Sequence, residues 1–111
     1  MLQAKFALSG SNWTIKSLEV GSKNDNNVTT LIDKTAGGGR TIGVLDVGHA
    51  SNITLKSTTI SGIIGGTGNH TLVLGSGSHD LIKLAGDTSL TGGSGFIDAI
   101  RIGGSAQIEI N

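Results

Sequence analysis

Apolar and polar residues alternate in short runs that open in a common way. Asn12-Trp13-Thr14-Ile15, Asn27-Val28-Thr29-Thr30, Asn52-Ile53-Thr54-Leu55 and Asn69-His70-Thr71-Leu72 each begin with Asn and place Thr two residues later. Asp87-Thr88-Ser89-Leu90 and Ser105-Ala106-Gln107-Ile108 continue the series. Alternation at a period of two over so few residues predicts short strands with one buried face. The successive intervals between openings are 15, 25, 17, 18 and 18, which predicts about six coils, irregular at first and regular at the end. The longest interval holds Ala36-Gly37-Gly38-Gly39-Arg40, the expected protruding loop.

The period sharpens in the C-terminal half. Leu45, Ile63, Leu81 and Ala99 form one apolar column at a step of 18; Ile64, Ile82 and Ile100 form a second; Thr54, Leu72, Leu90 and Ile108 form a third. From Gly65 onward the coil divides into nines, GGTGNHTLV, LGSGSHDLI, KLAGDTSLT, GGSGFIDAI and RIGGSAQIE, with Gly at position four and Leu, Ala or Ile at position eight. The expected fold is an all-β, single-domain, right-handed parallel β-solenoid, with irregular coils over 1–64 and regular ones over 65–111. Gly would supply the positive φ of sharp turns, and position eight would point inward. Stacking at about 4.8 Å would turn each column into a ladder.

Composition narrows this by exclusion. Nineteen Gly among 111 residues would cost a helix roughly 1 kcal/mol at each occurrence, which removes the helical reading. Two Phe, one Trp and no Tyr leave only small aliphatics for the core. Eight basic and eight acidic side chains cancel, so no net field draws the chain to nucleic acid. No apolar run approaches the roughly 20 residues that span a bilayer as a helix, so no membrane insertion is expected. With no Cys, disulfides, thiolate catalysis and Cys-based zinc sites are absent together.

GGTGNHTLV departs at one position from the G-G-x-G-x-D-x-U-x pattern, so the segment from Gly65 to Gly95 resembles the calcium-binding nonapeptide repeat of RTX proteins. SNITLKSTTISG, with GSNWTIKSLEV before it, is similar to the coils of right-handed β-helix proteins of the pectate-lyase type. The first resemblance implies a parallel β-roll in which Asp at position six binds calcium. Here that position holds His70, His79, Thr88, Ile97 and Ala106, so the usual acidic ligand is missing.

Asp80 and Asp98 stand one full period apart, on adjacent coils, and form the single candidate cation site, with calcium as its cofactor; no other cofactor is expected. His70, His79 and His49 read as exposed turn residues, the first two on opposite edges of a coil. Asn12, Asn27, Asn52 and Asn69 lie in Asn-x-Thr sequons, which strand openings explain without a glycan. Hydroxyl-bearing runs such as Thr58, Thr59 and Ser61 or Thr88, Ser89 and Thr91 lack a regular Thr-x-Thr ladder. Asp33, Lys34, Arg40 and Asp46 near the loop are the groups available for glycosidic chemistry, with Trp13, Phe6 and Phe96 too scattered for an aromatic platform. No enzymatic activity is expected.

The two ends of the solenoid point to a function. Met1 to Leu8, with Leu2, Phe6 and Leu8 apolar, reads as strand, and so does Gln107-Ile108-Glu109-Ile110 before Asn111, with no amphipathic helix to cover either end. Ends of this kind add strands. A head-to-tail contact between them does not close and builds a filament. The leading expectation is a self-assembling structural subunit of an extracellular or cell-surface fibre or matrix, whose partner is another copy of itself. The competing expectations are an RTX-like calcium- or carbohydrate-binding module and a fragment of a β-helix enzyme acting on polysaccharide.

Overall fold

The structure, a computed structural model describing residues 3–21, 28–35 and 39–110, contains eleven strands and no helix among those residues. In chain order they are β1 (Gln3–Leu8), β2 (Trp13–Glu19), β3 (Val28–Asp33), β4 (Arg40–Asp46), β5 (Ala50–Thr54), β6 (Thr59–Gly65), β7 (His70–Val73), β8 (His79–Leu84), β9 (Thr88–Thr91), β10 (Ile97–Ile102) and β11 (Ala106–Glu109). The odd-numbered strands form a six-stranded sheet in the order β1-β3-β5-β7-β9-β11, and the even-numbered strands a five-stranded sheet, β2-β4-β6-β8-β10. Every pairing is parallel. The chain alternates between the sheets and returns to each one rung further along, which is a parallel β-solenoid in one domain.

Strand register defines the true columns. In the odd sheet Phe6, Leu31, Ile53, Leu72, Leu90 and Ile108 stack in succession. In the even sheet Leu18, Leu45, Ile63, Ile82 and Ile100 do the same. Two expected columns therefore need correction. Ile53, not Thr54, precedes Leu72, and Ile82, not Leu81, follows Ile63, because the pairings of β5 with β7 and of β6 with β8 each contain one residue more than the period. Ile64 pairs with Lys83 and leaves the column assigned to it with Ile82. Asn12 opens a strand of the even sheet, so the first interval of 15 is a half-turn between sheets and not a coil.

The nine-residue blocks are also not equivalent. In the odd sheet burial alternates simply, with His70, Leu72 and Leu74 inside and Thr71 and Val73 outside. In β8 the inward residues are His79, Ile82 and Leu84, and both Asp80 and Leu81 leave the core between the first two. The same two-residue step falls at Lys16-Ser17, Gly43-Val44 and Ser61-Gly62. Position eight thus points inward in one sheet only, and position nine takes its place in the other.

The core is a single file of aliphatic rungs between the sheets. Leu31, Leu45, Ile60, Ile63, Leu72 and Ile82 are fully buried. Each such side chain contributes about 2 kcal/mol over its exposed state. The sheets need no bulky residue because their inner faces meet across one layer.

Among the described residues glycine supplies positive φ only before Ala50, and close backbone approach in both halves, as at Gly43, where a Cβ would overlap the Lys16 carbonyl oxygen of the preceding coil. Positive φ occurs at Gly10, Gly21, Gly39 and Gly48, and at no described residue beyond them. No described Asn adopts it, so the Asn openings do not depend on a left-handed backbone. The glycines of the regular coils are required by close approach instead. A Cβ on Gly75, Gly77, Gly86, Gly93 or Gly95 would overlap the carbonyl oxygen of Lys56, Thr58, Gly68, Gly75 or Gly77 respectively, each on the preceding coil. The turns stack backbone on backbone, and only hydrogen fits between them.

Candidate functional site

The irregular coils enclose a polar cluster where β3 ends and β4 begins. Asp33 is buried, and its Oδ1 accepts hydrogen bonds from the Thr35 backbone N–H (3.0 Å) and hydroxyl (2.6 Å). Its Oδ2 accepts from the backbone N–H groups of Lys56 (3.0 Å) and Thr58 (3.1 Å) on the next coil. Burial alone would raise this carboxyl, but the Thr35 hydroxyl and the backbone N–H groups of Lys56, Thr35 and Thr58 outweigh it and hold the pKa at about 2. Arg40 is buried beside this cluster and donates to the carbonyls of Gly10 (3.2 Å) and Ser11 (3.1 Å) and to the Ser57 hydroxyl (2.9 Å). Thr35 Oγ1 lies 3.1 Å from Ser57 Oγ and 3.2 Å from Thr58 Oγ1. The cluster ties three successive coils together.

Of the four residues expected near a catalytic groove, Asp33 and Arg40 are therefore interior and committed to backbone partners. Lys34 is exposed, and Asp46 is half-buried and accepts the Gly48 N–H at 3.0 Å. They do not converge on one open surface. Ala36, Gly37 and Gly38 of the expected loop lie outside the described residues.

The histidines correct the sequence reading outright. His70 and His79 are buried, not exposed, because position six of each block is an inward position in both sheets. His70 Nε2 donates to the Gly66 carbonyl at 2.9 Å, so its Nδ1 accepts from the Ser51 hydroxyl at 2.8 Å. Its ring fills the space left by Gly65, where a Cβ would come within 2.8 Å of His70 Cε1. His79 Nδ1 donates to the Ile60 carbonyl at 2.9 Å, and its buried Nε2 has no hydrogen-bond partner among the described residues. Burial pushes the pKa of both below the usual histidine value, against the Gly66 and Ile60 hydrogen bonds that raise it. His49 is half-buried.

An inward position six also bears on calcium. A carboxylate there would face the core, where calcium's six to eight oxygen ligands could not gather. Asp80 and Asp98 are both exposed on the outer face, and register makes them neighbours, since His79 faces Ile97 and Leu81 faces Ala99. No group of three or more His, Cys, Asp or Glu among the described residues could hold a metal ion.

Asn12, Asn52 and Asn69 are exposed, and Asn27 lies outside the described residues. Thr58 and Thr88 are buried, so neither serves an outer hydroxyl array. The outer face of the odd sheet instead carries Thr30, Asn52, Thr71 and Ser89 beside Ile32, Thr54, Val73 and Thr91.

The two ends of the stack are the most exposed apolar features. In the column of Leu31, Ile53, Leu72 and Leu90, whose members are at most 1% exposed, the outermost residues Phe6 and Ile108 reach 40% and 46%. Ile110 is 60% exposed and Leu8 half-buried; Leu2 lies outside the described residues. On the even sheet Phe96, just before edge strand β10, is 77% exposed. In the sequence Phe96 stands out only as one of three scattered aromatics, because its place beside an edge strand is a property of the register. The ends thus present strand edges beside unfinished core columns. No protein-family model, curated protein or solved structure matches the chain.

Proposed function

We infer that the chain is a self-assembling structural subunit, stacking end to end so that the β9 to β11 end of one copy meets the β1 and β2 end of the next. The observation that carries this reading is the emergence of buried core columns at both ends, at Phe6 and at Ile108, beside strand edges that no described residue covers. A second copy in the same orientation continues both features: edge N–H and C=O groups gain partners, and the core columns run on from one copy into the next. The two surfaces differ from each other, so the contact is heterologous and propagates as a filament. The same reading places the protein outside the cell or at its surface, as a fibre or matrix.

Negative-stain microscopy and sedimentation of the purified chain, with and without calcium, test the proposal. Filaments of uniform width, appearing above a threshold concentration, are the expected result. Monodisperse particles at high protein concentration would overturn it.

A further inference from the structure

The outward charges of the even sheet assign a register to end-on stacking, and this inference rests on that reading. Along one outer column Glu19 faces Asp46, Asp46 faces Ile64, Ile64 faces Lys83 and Lys83 faces Arg101. Acid therefore lies at the β2 edge and base at the β10 edge. The neighbouring outer column runs the other way, with Lys16 on β2 and Asp80 and Asp98 on β8 and β10. Like charges on adjacent strands repel. Within one copy, Glu19 with Asp46, Lys83 with Arg101 and Asp80 with Asp98 are such pairs. Between copies stacked head to tail, Arg101 meets Glu19 and Asp98 meets Lys16, so both columns join opposite signs.

We propose that the assembling contact is a parallel pairing of β10 with β2 of a second copy, in the register the interior columns dictate. Ile97 then continues into Ile15, Ile100 into Leu18 and Ile102 into Val20, while Arg101 stands against Glu19 and Asp98 against Lys16. The strand count adds a condition. With six strands in one sheet and five in the other among the described residues, stacking β1 on β11 would hold β2 and β10 apart by the width of a strand. Pairing of β10 with β2 leaves room for one odd-sheet strand between β9 and β3 of the second copy. Either β11 or the second copy's β1 fills it, since Phe6 and Ile108 occupy the same column, and the other is displaced. Each copy then adds five rungs to the even sheet, an axial repeat of about 24 Å, whereas full stacking of six rungs would give about 29 Å.

Charge reversal on the 111-residue chain tests this, with pelleting, fibre diffraction and the emission of Trp13, the single tryptophan, as readouts. Arg101→Glu places unlike charges beside Lys83 and like charges against Glu19 of the next copy. The soluble subunit should therefore melt no lower than wild type, yet its threshold concentration should rise about tenfold. Glu19→Arg should behave alike, and the double variant should return to the wild-type threshold. Filaments with the shorter, five-rung repeat and this pattern of loss and rescue support the register. The longer, six-rung repeat, or a threshold indifferent to both reversals, overturns the register and leaves end-on stacking in place. Absence of filaments from the wild-type chain overturns the stacking itself, and the register with it.

Discussion

The irregular and regular coils solve the same stacking problem by different means. From β1 to β5 the coils are long: β2 pairs with β4 at a step from Leu18 to Leu45, and β3 with β5 at a step from Val28 to Ala50. Their extra length encloses polar groups, and Asp33, Thr35, Arg40, Ser57 and Thr58 hold one another and the backbone of neighbouring coils. From β6 onward the step shortens, from Ile63 to Ile82 in one sheet and from Leu72 to Leu90 in the other, and no room remains for such a cluster. Turn backbones approach until glycine is obligatory. Side-chain hydrogen bonds form a connected cluster between the long coils; in the short ones they are isolated, as at His70 and His79, and the turns meet backbone on backbone.

Substitution of a stacking glycine should break the regular half most severely. Gly95→Ala or Gly86→Ala forces a methyl group into a backbone carbonyl of the preceding coil, which can yield only by separating the rungs. The expected loss is about 3 kcal/mol, measured by urea unfolding. Gly10→Ala, at a positive-φ turn in the irregular half, meets no backbone carbonyl but takes on left-handed backbone and a methyl group 3.2 Å from Trp13 Nε1, and should lose about 1.5 kcal/mol. Equal losses at the two sites would erase the distinction between the halves.

The irregular half should fail first at its carboxylate. Asp33→Asn sets an amide N–H₂ where backbone N–H groups already point, so at least one buried donor loses its acceptor. A loss of about 2 kcal/mol is expected at pH 7. The acid limb gives a second measurement. Because the folded carboxyl titrates at about 2, below its unfolded value near 3.8, its contribution is complete above about pH 4 and disappears as the pH falls towards 2. Unfolding followed across that range should show a drop in wild type that Asp33→Asn lacks.

Much of the fold was legible in the sequence, because repeat length and alternation are local signals. The solenoid, the regular coil length and the apolar columns of Leu72, Leu90 and Ile108 all appear in the chain itself. The single added residue between β5 and β7 was not legible, since a strict period assigns Thr54 where Ile53 belongs. The inward histidines were missed for a related reason: a polar residue after a turn suggests exposure, and only the partners at Ser51, Gly66 and Ile60 make burial tolerable. Phe6 and Ile108 could be named as candidate end residues because both segments read as strand with no amphipathic helix beside them, and the register places both in one column. The charge order along the even sheet was hidden until register aligned Glu19 with Asp46 and Lys83 with Arg101.

The histidines sharpen the comparison within the regular half. His70 has partners at both ring nitrogens, whereas His79 lacks one at Nε2 among the described residues. Both have folded pKa values below the unfolded value of 6.5, so their contribution to stability is complete above that pH and is lost as pH falls below it. His79→Leu extends the column of Ile60 and Ile97 at the loss of one hydrogen bond, and should be within about 1 kcal/mol of wild type at pH 7. At pH 5 it should be the more stable protein. Thermal melts at the two pH values read the crossing, and a variant less stable than wild type at both would show that the Ile60 bond outweighs the proton penalty.

The smallest effect belongs to the outer face, where Asp80 and Asp98 stack at neighbouring rungs. Asp98→Asn removes a like-charge contact between exposed side chains and should stabilise the soluble subunit by a few tenths of a kcal/mol at low salt. Screening should erase the gain near 1 M salt, where the Debye length is about 3 Å. Calcium separates this reading from a cation site. If the carboxylates only repel, added calcium should shift the melting of wild type and Asp98→Asn equally. A shift confined to wild type would make the pair a ligand set, and the regular coils would then gain from an ion the polar cohesion that Asp33 provides in the irregular ones.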